Sequence, residues 1–384
     1  MKKKILIMAG YYVPSVKAGG PIQSIKNLVE NLGDSFDFYI LAADRDLGDP
    51  ERFNDITIDT WTEVGKAKVY YTDMRLLNGK KIKKIVNDIG CDILYLNSFF
   101  AFKDSILPIV LSKFNAFNNI KIIIAPRGQF SKGALSLKQW KKKIFVATVK
   151  ILGLYNNVEW HATTLLEKED LKKVFGNDLI VYTANNMTKN HKDLHLDKHL
   201  KKKSGTLKLV YMARIHPMKN LIQTLEVLRK TEGNIDFNIY GPVEDNQYWE
   251  KCKIIISKMR SNIKVKYYGP IRNEEVNAIY EKSHVAILLT LGENFGHSIA
   301  EALLGGCPVI ISDKTPWIGL KKYNAGYDLP LHNEDLLVQV LNEFIEMDDD
   351  DYKNISASAY DYAKKNLNTE ENISEYYKMF HIAN

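Results

Sequence analysis

Residues 285–303 read VAILLTLGENFGHSIAEAL, and this stretch decides the fold of the second half of the chain. It opens with five apolar residues, which is typical of a strand buried on both faces of a parallel sheet. After a polar segment, apolar residues recur at helical spacing. The stretch therefore predicts a strand, a loop and a helix. Glu293 falls in the loop at the carboxyl end of the strand, and Glu301 falls about two turns into the helix, taking ~3.6 residues per turn.

Two carboxylates flank the predicted loop, with seven residues between Glu293 and Glu301. The start of a helix presents backbone N–H groups and the positive end of the helix dipole, which together bind anions. Carboxylates on either side can accept hydrogen bonds from hydroxyl groups. This combination suits a ligand that carries a sugar ring at each end of a phosphate. The alternative is a pair of solvated side chains at helix ends.

A second strand-and-loop pattern lies upstream. Residues 208–212 are predicted to form a strand, and Arg214 and Lys219 follow in the loop before a leucine-rich helix. Two cations that converge on a diphosphate neutralise the charge that grows on it as it leaves. A solvated arginine and lysine are the ordinary alternative. Because each motif follows its own strand in one α/β half of the chain, a shared site is favoured.

The two motifs together resemble the signature of the retaining glycosyltransferases of family 4, which have the GT-B fold. The resemblance implies an α/β protein with two Rossmann-like, doubly wound domains that face each other across a cleft. Its details are similar to a bacterial branch that builds surface polysaccharides such as capsule, O-antigen and lipopolysaccharide. Two departures occur in the upstream motif, where Ala213 and Asn220 stand in place of glycines.

The resemblance also implies roles for these residues. Arg214 and Lys219 are expected to clamp the diphosphate of a UDP- or GDP-sugar donor. Glu301 is expected to accept hydrogen bonds from the nucleotide ribose, and Glu293 from the donor sugar. The remaining expected donor contacts lie near the sugar, the phosphate and the base, at Phe295, Gly296, His297 and Ile271.

A glycine pair follows the first predicted strand of the chain, residues 4–8. The loop after that strand contains Gly19 and Gly20, and Pro21 begins the next helix. In the family that this chain resembles, such glycines let the backbone approach the donor. Gly-Gly-Pro is also ordinary helix-start chemistry. The loop differs from the Gly-x-Gly-x-x-Gly of nicotinamide-binding proteins.

Two further loops of the first half carry candidate catalytic residues. Arg127 lies in a Pro-Arg-Gly segment, where many family members have a histidine that contacts the donor sugar. An arginine can donate hydrogen bonds to hydroxyls or phosphate, but it cannot act as a base. His161 begins a His-Ala-Thr-Thr segment that resembles an element of the same branch. A structural histidine beside a threonine helix cap is the alternative.

Strands alternate with amphipathic helices in both halves, as in parallel doubly wound sheets. The predicted strands are 4–8, 36–42, 68–71, 92–96, 121–125, 158–160, 179–182, 208–212, 236–240, 263–268, 285–289 and 308–311. Residues 1–190 are predicted to form an acceptor-side domain, and residues 191–205 a linker with a solvated lysine run. Residues 206–366 are predicted to form a nucleotide-sugar-binding domain, and residues 367–384 a final helix that crosses back to the first domain.

The composition agrees with two domains of ordinary size, since the chain has 384 residues, 45% of them hydrophobic. Cys91, Cys252 and Cys307 lack the spacing of a disulfide framework or a zinc site. The first apolar run is too short for a signal peptide, and no run is long enough for a membrane helix, so we expect a cytoplasmic protein. The net charge of +7 suits an anionic substrate or an acidic membrane surface. We expect no nucleic-acid partner.

Residues 135–151 predict a helix that has an apolar face surrounded by lysines. Such a helix can lie on an anionic membrane, here the inner face of the cell membrane. Alternatively, the apolar face packs on its own domain. In the membrane case, the resemblance implies an acceptor glycan linked to a polyprenyl diphosphate. The apolar face consists of Leu137, Trp140, Ile144, Ala147 and Ile151.

We expect transfer of a sugar from a nucleoside-diphosphate sugar to a glycan, with retention and without a metal or other cofactor. In the front-face mechanism generally given for this fold, the leaving phosphate takes the acceptor's proton. The protein then mainly positions the substrates and stabilises charge. Two alternatives stay open. One is a GT-B enzyme of other chemistry, such as an epimerase or a soluble disaccharide synthase, and the other is a non-enzymatic sugar-binding protein.

Overall fold

A computed structural model describes residues 2–117, 120–131, 139–189 and 200–381 of the chain. The chain divides into two compact units, of which the first comprises Met1–Asn190 with Asn368–Asn384 and the second comprises His191–Leu367. Most of the predicted linker, residues 191–199, lies outside the described residues. So does the start of the predicted basic helix, up to residue 138.

In the described part of the first unit, eight strands form one sheet in the order β3-β4-β2-β1-β5-β6-β7-β8. Neighbouring strands are parallel, except for the antiparallel β3–β4 pair. The strands are β1 (Lys4–Gly10), β2 (Asp37–Ala43), β3 (Trp61–Val64), β4 (Ala67–Thr72), β5 (Ile93–Leu96), β6 (Lys121–Ile124), β7 (Glu159–Ala162) and β8 (Val181–Thr183).

In the second unit, six described strands form a parallel sheet in the order β11-β10-β9-β12-β13-β14. The strands are β9 (Thr206–Met212), β10 (Asn234–Tyr240), β11 (Ile263–Gly269), β12 (Val285–Leu288), β13 (Val309–Ser312) and β14 (Gly326–Leu329). This order is that of a Rossmann sheet, and the direction of winding reverses between β9 and β12. Ligands of such sheets bind at the carboxyl ends of the strands beside this reversal.

Helices of the described residues connect most of the strands, and three more helices follow the last strand. They are α1 (Gly20–Leu32), α2 (Gly79–Ile89), α3 (Leu107–Lys113), α4 (Gln139–Ile151), α5 (Leu165–Phe175), α6 (Leu221–Leu228), α7 (Asn246–Ile256), α8 (Val276–Glu281), α9 (His297–Leu304), α10 (Glu334–Glu346), α11 (Asp349–Asn366) and α12 (Glu370–Phe380). A π-helical turn, Phe102–Ile106, precedes α3.

The first sheet is buried on both faces, and β1 shows why. Ile5 and Ile7 belong to the core cluster that also contains residues of α1 and α12. Leu6 and Met8 belong to the opposite cluster, together with residues of α2. Because successive side chains of a strand point to opposite faces, a continuous apolar strand requires helices on both sides.

The predicted fold class, two doubly wound α/β units with parallel sheets, is confirmed. Each predicted strand overlaps an observed one, but β3 and β14 were not predicted. Both are four-residue edge strands with polar residues in them, so they lack the apolar run that identifies a buried strand. At Gly326 in β14, a Cβ would lie 2.1 Å from the carbonyl oxygen of Val309, which excludes any larger residue there.

The last helix, α12, packs on the first sheet. The ring of Phe380 lies 5.3 Å from that of Phe36. The hydroxyl of Tyr376 donates to the carbonyl oxygen of Asn185 at 3.1 Å. After the second unit, the chain therefore returns to the first. No helix in the described ranges is long and apolar enough to cross a membrane.

The lysine run at 201–203 is not wholly solvated, contrary to our prediction. Lys202 is only 4% exposed, and its ammonium group donates to the carbonyl oxygens of Ile345 (2.8 Å) and Met347 (3.0 Å) at the end of α10. Burial lowers the pKa of Lys202 to about 8. A cation at this place satisfies carbonyl groups that a helix leaves unpaired at its C-terminus.

Replacing Lys202 with alanine should lower the free energy of unfolding by about 1–2 kcal/mol, since the buried carbonyls lose a donor. Denaturant titration measures this change. Lys203→Ala is the matched control, because its side chain is exposed. Equal destabilisation by both substitutions would contradict the capping role of Lys202.

Candidate functional site

Two of the predicted site residues meet at the winding reversal of the second sheet. The ammonium group of Lys219, after β9, donates to Oε2 of Glu293, after β12, at 2.5 Å. Their side chains are 14% and 17% exposed, respectively. The neighbouring parallel strands thus bring together a cation and a carboxylate that lie 74 positions apart in the chain.

Backbone hydrogen bonds hold the loops that carry this pair. The carbonyl oxygen of Met218 accepts from the backbone N–H of Leu291 at 2.8 Å and from the hydroxyl of Thr290 at 2.9 Å. The backbone N–H of Glu293 donates to the carbonyl oxygen of Lys314, after β13, at 3.1 Å. The proximity of Lys219 and Glu293 is therefore set by the main chain and not by their ion pair alone.

The sequence around Lys219 suits this tight loop. Nδ1 of His216 accepts from the backbone N–H of Met218 at 3.1 Å and caps the short helical turn Pro217–Lys219. Asn220 then takes a left-handed conformation, with φ at 53°. Asparagine tolerates this region better than most residues. This explains how Asn220 can stand where the motif that this loop resembles has a glycine.

Arg214 has a different carboxylate partner. Its Nη1 donates to Oε2 of Glu244, in the loop after β10, at 2.6 Å. Both side chains are about 40% exposed (41% and 40%), so this pair contributes little to stability and can exchange for a ligand. Our sequence analysis missed Glu244. The rule that found Glu293, a polar residue in a loop directly after a buried strand, could have found it.

The loop between the glutamates ends in an uncapped helix start. Gly296, with φ at 82°, precedes α9, and no side chain of the described residues caps the first turn of this helix. This φ favours glycine, and a Cβ at Gly296 would lie 2.9 Å from Cδ1 of Ile299, whose side chain would have to shift. The indole N–H of Trp317 donates to the carbonyl oxygen of Phe295 at 2.5 Å and holds the loop in place. Phe295 also contacts the ring of His297.

Glu301 lies about one turn after the start of α9, not two as predicted, because the helix begins only at His297. Although part of the side chain is exposed, desolvation raises the pKa of its carboxyl group to about 7. Among the described residues, no donor hydrogen-bonds this carboxylate. Ile271, expected near the base, is partly buried against the core of the second unit.

In the first unit, the glycine loop is held by Asp46. Gly19, with φ at 71°, precedes Gly20, the first residue of α1. The carboxylate of Asp46 accepts from the backbone N–H groups of Val16 (2.9 Å) and Lys17 (3.2 Å). Asp46 was not predicted, since no local pattern links it to a loop that lies so far upstream.

Arg127 bridges three segments of the first unit. Its Nε donates to Oδ1 of Asn97 at 2.7 Å, Nη2 donates to the hydroxyl of Tyr95 at 3.0 Å, and Nη1 donates to Oδ1 of Asn186. The guanidinium thus positions the ends of β5 and of the segment after β8. A contact between Arg127 and a substrate stays a prediction.

The catalytic role predicted for His161 does not fit its position. The ring is fully buried, the hydroxyl of Tyr95 contacts Nδ1 at 2.6 Å, and the carbonyl oxygen of Ala184 contacts Nε2 at 2.8 Å. Because a carbonyl only accepts, Nε2 carries the proton and Nδ1 accepts from Tyr95. Burial, and then the positive charge of Arg127, lower the pKa of His161 to about 3. A neutral, fully bonded imidazole indicates a structural role.

Known proteins share this fold. Residues 194–362 match the family of Glycosyl transferases group 1. The fold is GT-B. Sucrose-phosphate synthase (tll1590) from Thermosynechococcus elongatus superposes with a TM-score of 0.73 at 14% identity, over 99% of this chain and 98% of that one. Anabaena Alr3699/HepE in complex with UDP and glucose gives 0.67 at 15% identity, over 98% of both chains.

The lipopolysaccharide outer core galactosyltransferase WaaB also has this fold, with a TM-score of 0.58 at 14% identity over 98% of this chain and 100% of that one. No curated protein sequence matches this chain significantly. At these identities, the structural likeness establishes the fold.

The raised pKa of Glu301 predicts a pH-dependent stability. The folded state favours the protonated carboxyl group, so this stabilisation is complete below pH 4.5 and is lost as the pH rises through 7. Relative to Glu301→Gln, the free energy of unfolding of the unmodified protein should fall by on the order of 2 kcal/mol over this range. Denaturant titrations at several pH values measure it. The control Glu281→Gln, at an exposed position, should keep the pH dependence of stability seen in the unmodified protein. If the stability of the Glu301→Gln and Glu281→Gln variants varied with pH in the same way, the assignment would be refuted.

Proposed function

We propose that this protein is a retaining glycosyltransferase that moves a sugar from a nucleoside-diphosphate sugar to a glycan. The contact between Lys219 and Glu293 carries this proposal. In it a cation and a carboxylate lie side by side just before α9, whose start no described side chain caps, at the winding reversal where Rossmann sheets bind nucleotides. The match of residues 194–362 to the glycosyltransferase family supports the same assignment.

The second unit offers each part of a donor site. The diphosphate of the donor binds Lys219, Arg214 and the first N–H groups of α9. Glu301 accepts hydrogen bonds from the ribose, which agrees with a desolvated carboxylate that the described residues do not pair. Glu293 accepts from the donor sugar. Binding of a diphosphate exchanges the ion pairs of both cations for charge-assisted hydrogen bonds to phosphate.

UDP-glucose is the first donor to test. Anabaena HepE, which has this fold, was solved with UDP and glucose and with UDP-glucose. WaaB is a galactosyltransferase. These likenesses support a UDP-hexose, while the resemblance in sequence allows GDP-sugars as well.

The chemistry needs charge stabilisation more than a protein base. As the bond between the anomeric carbon and the phosphate oxygen breaks, negative charge grows on the diphosphate, and the two cations lower the barrier by stabilising it. The leaving phosphate takes the proton from the acceptor hydroxyl, which attacks from the same face. We propose that no metal takes part. The aspartates at 348–351 serve the helix instead, since Oδ1 of Asp348 accepts from the first backbone N–H groups of α11.

Nucleotide binding tests the donor site directly. Arg214→Ala and Lys219→Ala should each weaken UDP binding by about 1.5–3 kcal/mol, the range for hydrogen bonds to charged groups. Isothermal titration calorimetry with the full chain measures the affinity. Lys230→Ala is a matched control, because Lys230 pairs with Glu334 on the surface. Unchanged affinity in both site variants would overturn the clamp.

The stereochemistry and metal dependence of transfer test the reaction class. With UDP-glucose and a glycan acceptor, the product should keep the α configuration of the donor, and turnover should persist in EDTA. Proton NMR of the anomeric signal reports the configuration. An inverted product, or activity that EDTA abolishes and manganese restores, would contradict the proposal.

We propose that α4 brings the protein to its acceptor at an anionic membrane surface. The helix packs on its unit through Val149, while Trp140, Ile144 and Ile151 are 65%, 58% and 86% exposed. The alternative that this apolar face packs on its own domain is therefore wrong for these residues. Lysines on the same helix supply positive charge for anionic headgroups. A polyprenyl-diphosphate-linked glycan is the acceptor that fits such a location.

Vesicle sedimentation tests this contact. The protein should bind vesicles that contain phosphatidylglycerol and bind neutral phosphatidylcholine vesicles far more weakly, with salt reducing the binding. The double variant Trp140→Ser, Ile144→Ser should lose most of the bound fraction. Ile318→Ser removes an equally exposed apolar residue from the second unit and should have no effect. Equal binding by all three proteins would exclude α4 as the contact.

A further inference from the structure

Glu244 is the partner of Arg214 in the candidate donor site, and nothing above assigns it a function. Its Oε2 accepts a hydrogen bond from Nη1 of Arg214 at 2.6 Å. A diphosphate that binds Arg214 has to take the place of this carboxylate. The way in which the chain holds Glu244 therefore determines how easily the exchange occurs, and where the carboxylate lies after it.

The loops that carry Arg214 and Glu244 are joined through their main chains. The backbone N–H of Ile215 donates to the carbonyl oxygen of Pro242 at 2.8 Å. The carbonyl oxygen of Ile215 accepts from the backbone N–H groups of Glu244 and Asp245, both at 3.2 Å. The pairing of β9 with β10 thus continues beyond the ends of both strands, and the backbone of Glu244 is fixed beside that of Arg214.

Gly241 shows how closely the two loops approach each other. A Cβ at this position would lie 2.0 Å from the carbonyl oxygen of Ala213 and 3.3 Å from the backbone nitrogen of Arg214. Two backbones at this distance leave no room for a side chain between them. A ligand can therefore move the carboxylate of Glu244 only by rotating its side chain, and the negative charge stays near the site.

The ion pair of Arg214 and Glu244 is weak enough to be displaced. Among the described residues, Glu244 is the only hydrogen-bond partner of the Arg214 guanidinium, and it takes a single N–H group. Both side chains are about 40% exposed (41% and 40%), so water competes with the pair. A phosphate can accept two parallel hydrogen bonds from a guanidinium. A diphosphate therefore offers Arg214 more than the carboxylate does.

The charges of the site balance before any ligand binds. Arg214 and Lys219 each pair with one carboxylate, that of Glu244 and that of Glu293, respectively. In the proposed function, Glu293 gains the donor sugar as a partner, whereas Glu244 only loses Arg214. Its carboxylate is then held near a diphosphate of the same sign of charge, and like charges repel.

We propose that Glu244 competes with the donor diphosphate for Arg214 and so lowers the affinity of the site for the nucleotide. The inference rests on the proposed function, because it requires a diphosphate at Arg214. Glu244 takes Arg214 back when the nucleoside diphosphate leaves, so the competition eases the release of this product after transfer.

Isothermal titration calorimetry with UDP and the full chain tests the competition. Glu244→Gln keeps the size of the side chain and removes its charge. This variant should bind UDP about two- to fivefold more tightly than the unmodified protein, which corresponds to the contribution of an exposed ion pair. Unchanged affinity would overturn the proposal. Weaker binding would also overturn it, since Glu244 would then hold Arg214 in position for the ligand.

A matched control removes a similar carboxylate elsewhere in the second unit. Glu226 pairs with Arg229 on α6 and is 39% exposed, close to the 40% of Glu244. Glu226→Gln changes the net charge by the same amount and should leave the UDP affinity unchanged. An equal gain in both variants would show an effect of net charge alone and would overturn the competition.

The dependence of the gain on Arg214 separates competition from direct repulsion. In a protein that already carries Arg214→Ala, Glu244→Gln should give a smaller gain in UDP affinity, because the residue for which Glu244 competes is missing. The gain in the single variant should also shrink at about 1 M salt, where the Debye length is ~3 Å. A gain of the same size without Arg214 would overturn the proposal.

The same titrations distinguish this inference from the proposed function. UDP binding that Glu244→Gln does not tighten overturns the competition and leaves the donor site intact. Absence of UDP binding in the unmodified protein and in every variant overturns both.

Discussion

The carbonyl oxygen of Met218 accepts two hydrogen bonds from the loop after β12, and the candidate donor site depends on this junction. Parallel strands leave their carboxyl ends side by side, but this alone does not fix the side chains of separate loops against each other. Here the main chain joins them, so Lys219 and Glu293 are positioned before any ligand binds. Such preorganisation lowers the cost of ordering groups around a substrate or a transition state.

The two cations of this site differ in how readily they can respond to a ligand. The pair of Arg214 and Glu244 is about 40% exposed, where water competes with the ion pair and its net contribution is small. The pair of Lys219 and Glu293 is much less exposed, and removing one partner leaves the other charge poorly solvated. Lys219 therefore has a fixed place beside Glu293, while Arg214 is the more adaptable of the two.

The first unit uses its polar side chains differently. Tyr95, His161 and Arg127 form a chain of hydrogen bonds that ends at Asn97. His161 is satisfied on both nitrogens, whereas the amide nitrogen of Asn97 is not. Within one network, His161 thus has a partner on each ring nitrogen, whereas the amide nitrogen of Asn97 still has a hydrogen to donate. Buried networks of this kind are informative because each unpaired member has a free-energy cost.

Local pattern determined much of this protein. Apolar runs and helical spacing located the strands of both sheets, apart from β3 and β14. Strand-end loops singled out Arg214, Lys219 and Glu293, and the helix after the last of these loops singled out Glu301. These features depend on the period of side chains along a strand or a helix, which is a property of the chain segment itself.

The tertiary structure alone decided which polar groups are buried and what they bond. The sequence predicted that Lys202 belongs to a solvated run, but its ammonium group caps α10. The sequence made His161 a catalytic candidate, but its ring is buried and hydrogen-bonded to Tyr95 and Ala184. Conversely, Asp46 carried no motif, and the apolar face of α4 read equally well as packed or exposed. Burial and partnership arise between segments far apart in the chain, through the order of strands in the sheet, and a local pattern contains no information about that order.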